Sequence, residues 1–233
     1  KQSLKSTTKT ERLKEIKNII LKRSLDQLNE NKKLREKAKL EKKVPPKDME
    51  ENIAEMDVNK AGYTSYSYNH SAAALYAYQY GDEMHSPPWG NYEPIGGDCT
   101  NFASQCIKDG GVPFDSKGTY TWYWYSDSNR SPSWTGVPEL YNYLLNNNSS
   151  SSSNYGVYAF LSSSVYINAG DIVQNVGSHT MVIDALDYDS EGWITEHYIC
   201  QHSTTVQGRL SHYPLSAKPP ATRAFIWITR YYK

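Results

Sequence analysis

The sequence predicts an α+β fold in which helices come first and an antiparallel sheet follows, preceded by a charged helical extension. Residues 10–43 contain neither Pro nor Gly, and Leu13, Ile16, Ile20, Leu25 and Leu28 recur there at three- to five-residue steps. Helical patterns return at 71–80, 99–109 and 137–145. After Gly170 the texture changes to short β-branched and aromatic runs separated by turn signals.

The extension covers residues 1–60. It holds 17 Lys and Arg against 11 Asp and Glu, whereas residues 61–233 hold 8 against 14, so the chain's zero net charge divides into +6 and −6. Pro45 and Pro46 end the helical run, since proline lacks an N–H and restricts its predecessor. Lys and Glu interleave as i,i+4 pairs, the pattern of a solvated helix that docks on its own domain or on a partner. The overall charge balance gives no reason to expect nucleic acid, and no run of 18 apolar residues provides a transmembrane segment. The chain begins at Lys1 rather than Met, so an export signal is expected outside the given residues.

The main domain, 61–233, begins where Lys gives way to Tyr, Ser, Asn and Trp. An Ala-rich helix (71–80) is followed by a Pro- and Gly-containing loop to Gly97, and a second helix opens at Cys99 and stops at Gly110-Gly111. Residues 119–134 read as aromatic loop or irregular strand, 137–145 as a short helix, and 146–154 as a Ser/Asn loop. Strands are predicted at 171–174, 179–185, 193–202 and 224–229, with the turn at 189–192 making a hairpin of the middle two.

The chemistry centres on Gly96-Gly97-Asp98-Cys99, a glycine-rich loop that delivers a cysteine to the first turn of a helix. Unpaired backbone N–H groups and the positive end of the macrodipole favour thiolate there and can receive an oxyanion. The plain alternative is a small buried residue, the reading that also suits Cys106 and Cys200. Three cysteines allow at most one disulfide. No Cys-x-x-Cys pair or metal-ligand spacing is present, so neither a metal nor an organic cofactor is expected. A thiol nucleophile needs an imidazole and a third group to orient it. His179 begins an apolar strand and His202 ends the next, so hairpin pairing makes them neighbours. Alternation places His197 and Gln201 on one face of that strand, and Cys200 and His202 on the other.

The run Asp98-Cys99-Thr100-Asn101-Phe102-Ala103-Ser104-Gln105-Cys106 occurs in order with Tyr68-Asn69-His70, Ser133-Trp134, 170–174, His179 and 201–203. Together these pieces resemble the putative amidase domain family of Gram-positive bacteria, a distant relative of NlpC-type and CHAP-type cell-wall hydrolases within the papain-like cysteine peptidase fold. The resemblance spans about residues 66–210. It implies a papain-like core with Cys99 as nucleophile, His179 as general base and His202 as the orienting member. It further implies that Asp98 binds the substrate's free amine and Tyr68 assists at the oxyanion. The chain departs from the family in reading Asn69-His70 where Asp-Arg is usual, and Ser178 where an Asp usually precedes the base. The expected activity is cysteine-dependent cleavage of an amide or peptide bond, in cell-wall peptidoglycan, by a secreted or wall- or spore-associated protein. Trp122 and Trp124 in the aromatic loop are candidates for a cleft wall that stacks on sugars and stem peptides, with packing over the core as the alternative. A non-catalytic wall- or spore-associated binding module on the same fold, and acyl transfer instead of hydrolysis, are the competing functions.

Overall fold

The computed structural model describes residues 62–83, 88–147, 155–203 and 208–233, with Lys33 alone upstream of them. The helical extension, His85 and most of the Ser/Asn loop lie outside the described residues. The elements in chain order are β1 (Ser65–Ser67), α1 (His70–Tyr80), α2 (Cys99–Asp109), β2 (Trp124–Ser126), β3 (Asn129–Arg130), α3 (Pro132–Thr135), α4 (Val137–Asn146), β4 (Gly156–Ser162), β5 (Ile172–Asn175), β6 (His179–Tyr188), β7 (Ile194–Gln201), β8 (Leu210–Pro214) and β9 (Arg223–Tyr232). Helices and antiparallel strands mix as expected. The order is less segregated than the sequence predicts, because β1, the β2–β3 hairpin and β4 precede or interrupt the strand-rich half.

α1 starts where Asn69 Oδ1 accepts the Ala72 N–H at 3.0 Å, an N-cap that meets one otherwise unpaired donor. α2 stops at Gly110, whose N–H closes on the Cys106 carbonyl, followed by Gly111 at φ +98°, a conformation open to glycine. The larger sheet runs β1-β9-β5-β6-β7-β8, with β4 on β9. β9 meets β5 through residues 223–226 and β1 through 230–232, while β4 pairs along 225–232, so β4 occupies its opposite edge. β6 and β7 form the predicted hairpin, with Val182 opposite Cys200 and Ile183 opposite Ile199.

Both faces of this sheet are apolar, and the two-residue period of the strands sorts their side chains between them. Ile172, Val182, Cys200, Ile226 and Ile228 join Phe102, Ile107, Trp122 and Trp134 in a core beneath the helices. Val173, Met181, Ile183, Ile199 and Phe225 pack on the other face with Ile167, Ile194 and Leu215. Each fully buried side chain of this size contributes about 1.5–3 kcal/mol. The result fixes α2 against β6, with the head of the helix at the start of the strand.

Candidate active site

Asp98 sits at the N-cap position of α2, yet its carboxylate makes no capping bond to the helix. Oδ1 accepts the Tyr92 N–H at 3.1 Å and the Asn101 Nδ2–H at 2.8 Å, and Oδ2 lies 2.7 Å from His202 Nδ1. The other nitrogen of His202 is 2.8 Å from the Tyr80 carbonyl. Both ring nitrogens therefore face acceptors within the protein. The pair is sealed, at 0% and 2% exposure, and the ring lies flat on Phe102 with centroids 4.1 Å apart. Holding Asp98 on His202 leaves the first N–H groups of α2 to other acceptors.

One such acceptor is the half-buried Cys99. Its sulfur takes backbone hydrogen bonds at Thr180 and Thr100, and the Thr100 hydroxyl is 3.8 Å away. These contacts favour the thiolate, but burial is the larger effect and pushes the Cys99 thiol up, with the Asp98 charge adding to it. The positional argument from sequence thus describes only the smaller part of the balance. Cys106 and Cys200 are fully enclosed, and burial drives Cys106 well above its ordinary value and Cys200 to about 12.

His179 immediately precedes Thr180 and opens β6. Its Nε2 is 2.9 Å from Gln201 Oε1. Two further contacts fix which way the Gln201 amide points: Lys218 Nζ, a donor only, reaches Oε1 at 2.6 Å, and Nε2 donates to the Gly208 carbonyl at 2.6 Å. The oxygen facing His179 is an acceptor, so His179 carries its proton on Nε2 and its lone pair on Nδ1. Burial pushes the His179 imidazole down, and the nearby Lys218 charge works in the same direction against the imidazolium.

The structure brings together some of the residues singled out from sequence and separates others. Asp98, Cys99 and His202 meet at the head of α2. The orienting contact on His179 comes from Gln201, whereas His202 spends both nitrogens on Asp98 and Tyr80. Asp98, buried and bonded within the protein, presents no oxygen to a substrate amine. Tyr68 packs against Gly110 at the far end of α2 and donates to the Gly170 carbonyl at 3.0 Å. Gly110 is eleven residues beyond Cys99, a helical rise of about 16 Å, so the Tyr68 ring packs at the opposite end of α2 from the sulfur. Trp122 is in the core, fully buried, with Nε1 donating to Ser104 Oγ at 3.0 Å. Trp124 is half-buried and donates to the Tyr92 hydroxyl at 2.8 Å, which ties the aromatic hairpin to the loop carrying Asp98. The exposed ring of that hairpin is Tyr125, and the half-buried Tyr123 stacks on it with centroids 5.0 Å apart.

Against known families, the model of the putative amidase domain matches residues 67–223, from the end of β1 to the first residue of β9. The chain belongs to the putative amidase domain family. No curated protein and no solved structure matches it. The amidase domain match encloses the whole constellation of Cys99, His179, Gln201, Asp98 and His202, and the chemistry its description supplies is hydrolysis of an amide.

Gln201 and Lys218 are the amidase-domain residues that sequence reasoning missed. The signal for Gln201 is parity. With Val182 opposite Cys200, residue 201 faces the same side as 181 and 179, and residue 202 faces the side of 180. Alternation was legible in the sequence, but the register that decides between the two parities was not. Among the described residues no group of three or more His, Cys, Asp and Glu side chains is placed to hold a metal ion, and no helix is long and apolar enough to cross a membrane.

Proposed function

We propose that this amidase domain is a cysteine-dependent amidohydrolase, with Cys99 as nucleophile, His179 as base and Gln201 as the residue that orients the base. The observation that carries the reading is the fixed tautomer of His179, with Nε2–H held by Gln201 and the lone pair left on Nδ1, at the first residue of β6 and next to Thr180, whose backbone meets Cys99. With the thiol pushed up and the imidazole pushed down, the resting pair is neutral. Attack of Sγ on the amide carbonyl then proceeds with transfer of the thiol proton to Nδ1. The Cys99 N–H, first in α2 and uncapped by Asp98, donates to the developing oxyanion. Collapse of the tetrahedral species breaks the C–N bond as His179 returns the proton to the leaving amine, leaving a thioester on Cys99. His179 next takes a proton from water, whose oxygen attacks the thioester and releases the acid and the thiol.

The substrate class we assign is cell-wall peptidoglycan, at an amide bond to or within its stem peptide, in a protein that is secreted or wall-associated within a papain-like architecture. The sequence resemblance to wall hydrolases supports this, as does the exposed Tyr125, stacked on Tyr123, on a hairpin tied through Trp124 and Tyr92 to the Cys99 loop, since flat rings stack on sugars. A binding module with silent chemistry is the second reading, favoured by the upward push on the Cys99 thiol. Incubating the chain with peptidoglycan and measuring new amino groups separates the two. The enzyme reading expects amine release that falls at least about a thousandfold in Cys99→Ser. Undiminished release by Cys99→Ser refutes the cysteine mechanism, and wall binding without release by the parent chain establishes the module.

A further inference from the structure

We propose that Gln174, Thr180 and Thr100 form a directed hydrogen-bond relay that ends as a donor on Cys99 Sγ and stabilises negative charge developing on the sulfur. This rests on Cys99 being the nucleophile. The relay begins at an amide whose orientation is set by its surroundings: Gln174 Nε2 lies 3.2 Å from the Val137 carbonyl and 3.1 Å from Thr180 Oγ1. A carbonyl accepts only, so the nitrogen end of the amide must point there, and its two hydrogens are used by these two contacts. Thr180 Oγ1 thus receives a hydrogen from Gln174 and directs its own onward. The neighbour waiting for it is Thr100 Oγ1 at 3.1 Å, and the Thr100 hydroxyl in turn lies 3.8 Å from Cys99 Sγ.

With a thiolate at the end, a pure acceptor, every hydroxyl hydrogen along this path has a partner. With a thiol at the end, the Thr100 O–H meets only a weak, neutral acceptor. The path therefore discriminates between the two states of the sulfur. Its construction follows from the fold. Gln174 and Thr180 are opposite one another in the β5–β6 ladder, on the face that packs beneath the helices, and Thr100 is the second residue of α2. All three side chains are fully buried, so no exposed water substitutes for a missing link. The carbonyl oxygen of Gln174 is buried without a partner among the described residues. An orphaned acceptor is costly, so the residue's contribution at this position is its donor end. The charged neighbour of the sulfur on its own helix is Asp98, which opposes the thiolate. From β6 the facing groups are the Thr180 N–H and hydroxyl, with His179 one residue before.

The test is the rate of Cys99 alkylation by iodoacetamide on the full chain from pH 5 to 10, followed by peptide mapping. Thr100→Val keeps the shape of the side chain and removes its donor. It is expected to slow labelling at neutral pH on the order of tenfold, the scale of one hydrogen bond to a charged group, while the plateau at high pH stays the same. Thr180→Val and Gln174→Leu are expected to move the profile in the same direction by less, and Thr100→Ser to restore it. Gln174→Leu is also expected to unfold no earlier than the parent, because it removes the orphaned oxygen. Superimposable profiles for parent and Thr100→Val, or Thr100→Ser as slow as Thr100→Val, overturn the relay. Failure of the functional reading is visible separately, as amide cleavage that survives Cys99→Ser, because alkylation does not depend on turnover.

Discussion

Gln201 and His202 are consecutive residues at the end of β7 and serve opposite faces of the sheet. Gln201 lies on the face of His179, where it is clamped by Lys218 and Gly208 and holds the imidazole in one tautomer. His202 lies on the helix face, where it holds Asp98 away from the head of α2. In the proposed mechanism one residue therefore orients the base, and its neighbour keeps a carboxylate from occupying the N–H groups that the nucleophile needs. The pleat alone separates the two positions: the resemblance implies His202 for the orienting role, and the register sets Gln201 against His179.

The largest expected effect comes from breaking the helix-face pair. Asp98→Ala leaves a buried imidazole without its carboxylate and is expected to destabilise the fold by about 3–5 kcal/mol in urea unfolding. A change below about 1 kcal/mol would show that the pair carries little.

The contrast sharpens at His197, which shares the parity of Gln201 and is also buried but, among the described residues, has one ring acceptor, the Ser164 carbonyl at 2.6 Å. Burial pushes it from 6.5 down to about 4. The unfolded chain thus binds this proton first as pH falls. The stability contributed by neutral His197 is present above pH 6.5 and lost between 6.5 and 4, an interval of about 3 kcal/mol. His197→Gln keeps a donor for Ser164 and removes the titration. Its stability relative to the parent is expected to improve by about that amount on going from pH 7 to pH 4. An unchanged difference would contradict the buried neutral ring.

On the other face, Gln201→Leu releases the imidazole without touching the Asp98 pair. We expect a rate loss on the order of a hundredfold, with a stability cost of about 1 kcal/mol from the unpaired Gly208 carbonyl that leaves the chain folded at the assay temperature, the signature of lost orientation. Full activity in Gln201→Leu would return the orienting role to another residue. The smallest effect is expected at the far end of α2. Tyr68→Phe should cost about 1 kcal/mol, through the unpaired Gly170 carbonyl, and leave amide cleavage within about twofold. A large loss of activity would place Tyr68 in the chemistry despite its distance.

Much of this arrangement was legible before the structure. The loop-to-helix delivery of Cys99, the stop at Gly110, the β6–β7 hairpin and the strand-initial His179 all follow from local signals. β4 and β8 went unassigned because β4 follows a Ser/Asn stretch and β8 is a short edge strand whose burial comes from pairing with β7. Trp122 read as a wall because aromatic composition does not tell inside from outside, and its hydrogen bond to Ser104 is what makes a buried indole tolerable. Asp98 and Tyr68 acquired roles by resemblance, and only three-dimensional placement shows one sealed by His202 and the other packed at the far end of α2 from Cys99.

The most direct test of the account is to mix the chain with peptidoglycan fragments, quench in acid within the first turnover and map the mass of the Cys99 peptide. The account predicts an acyl adduct on Cys99, labile to hydroxylamine as a thioester is, and absent from His179→Ala. Product formed with no adduct on Cys99 at any quench time, and at an undiminished rate in His179→Ala, would contradict it.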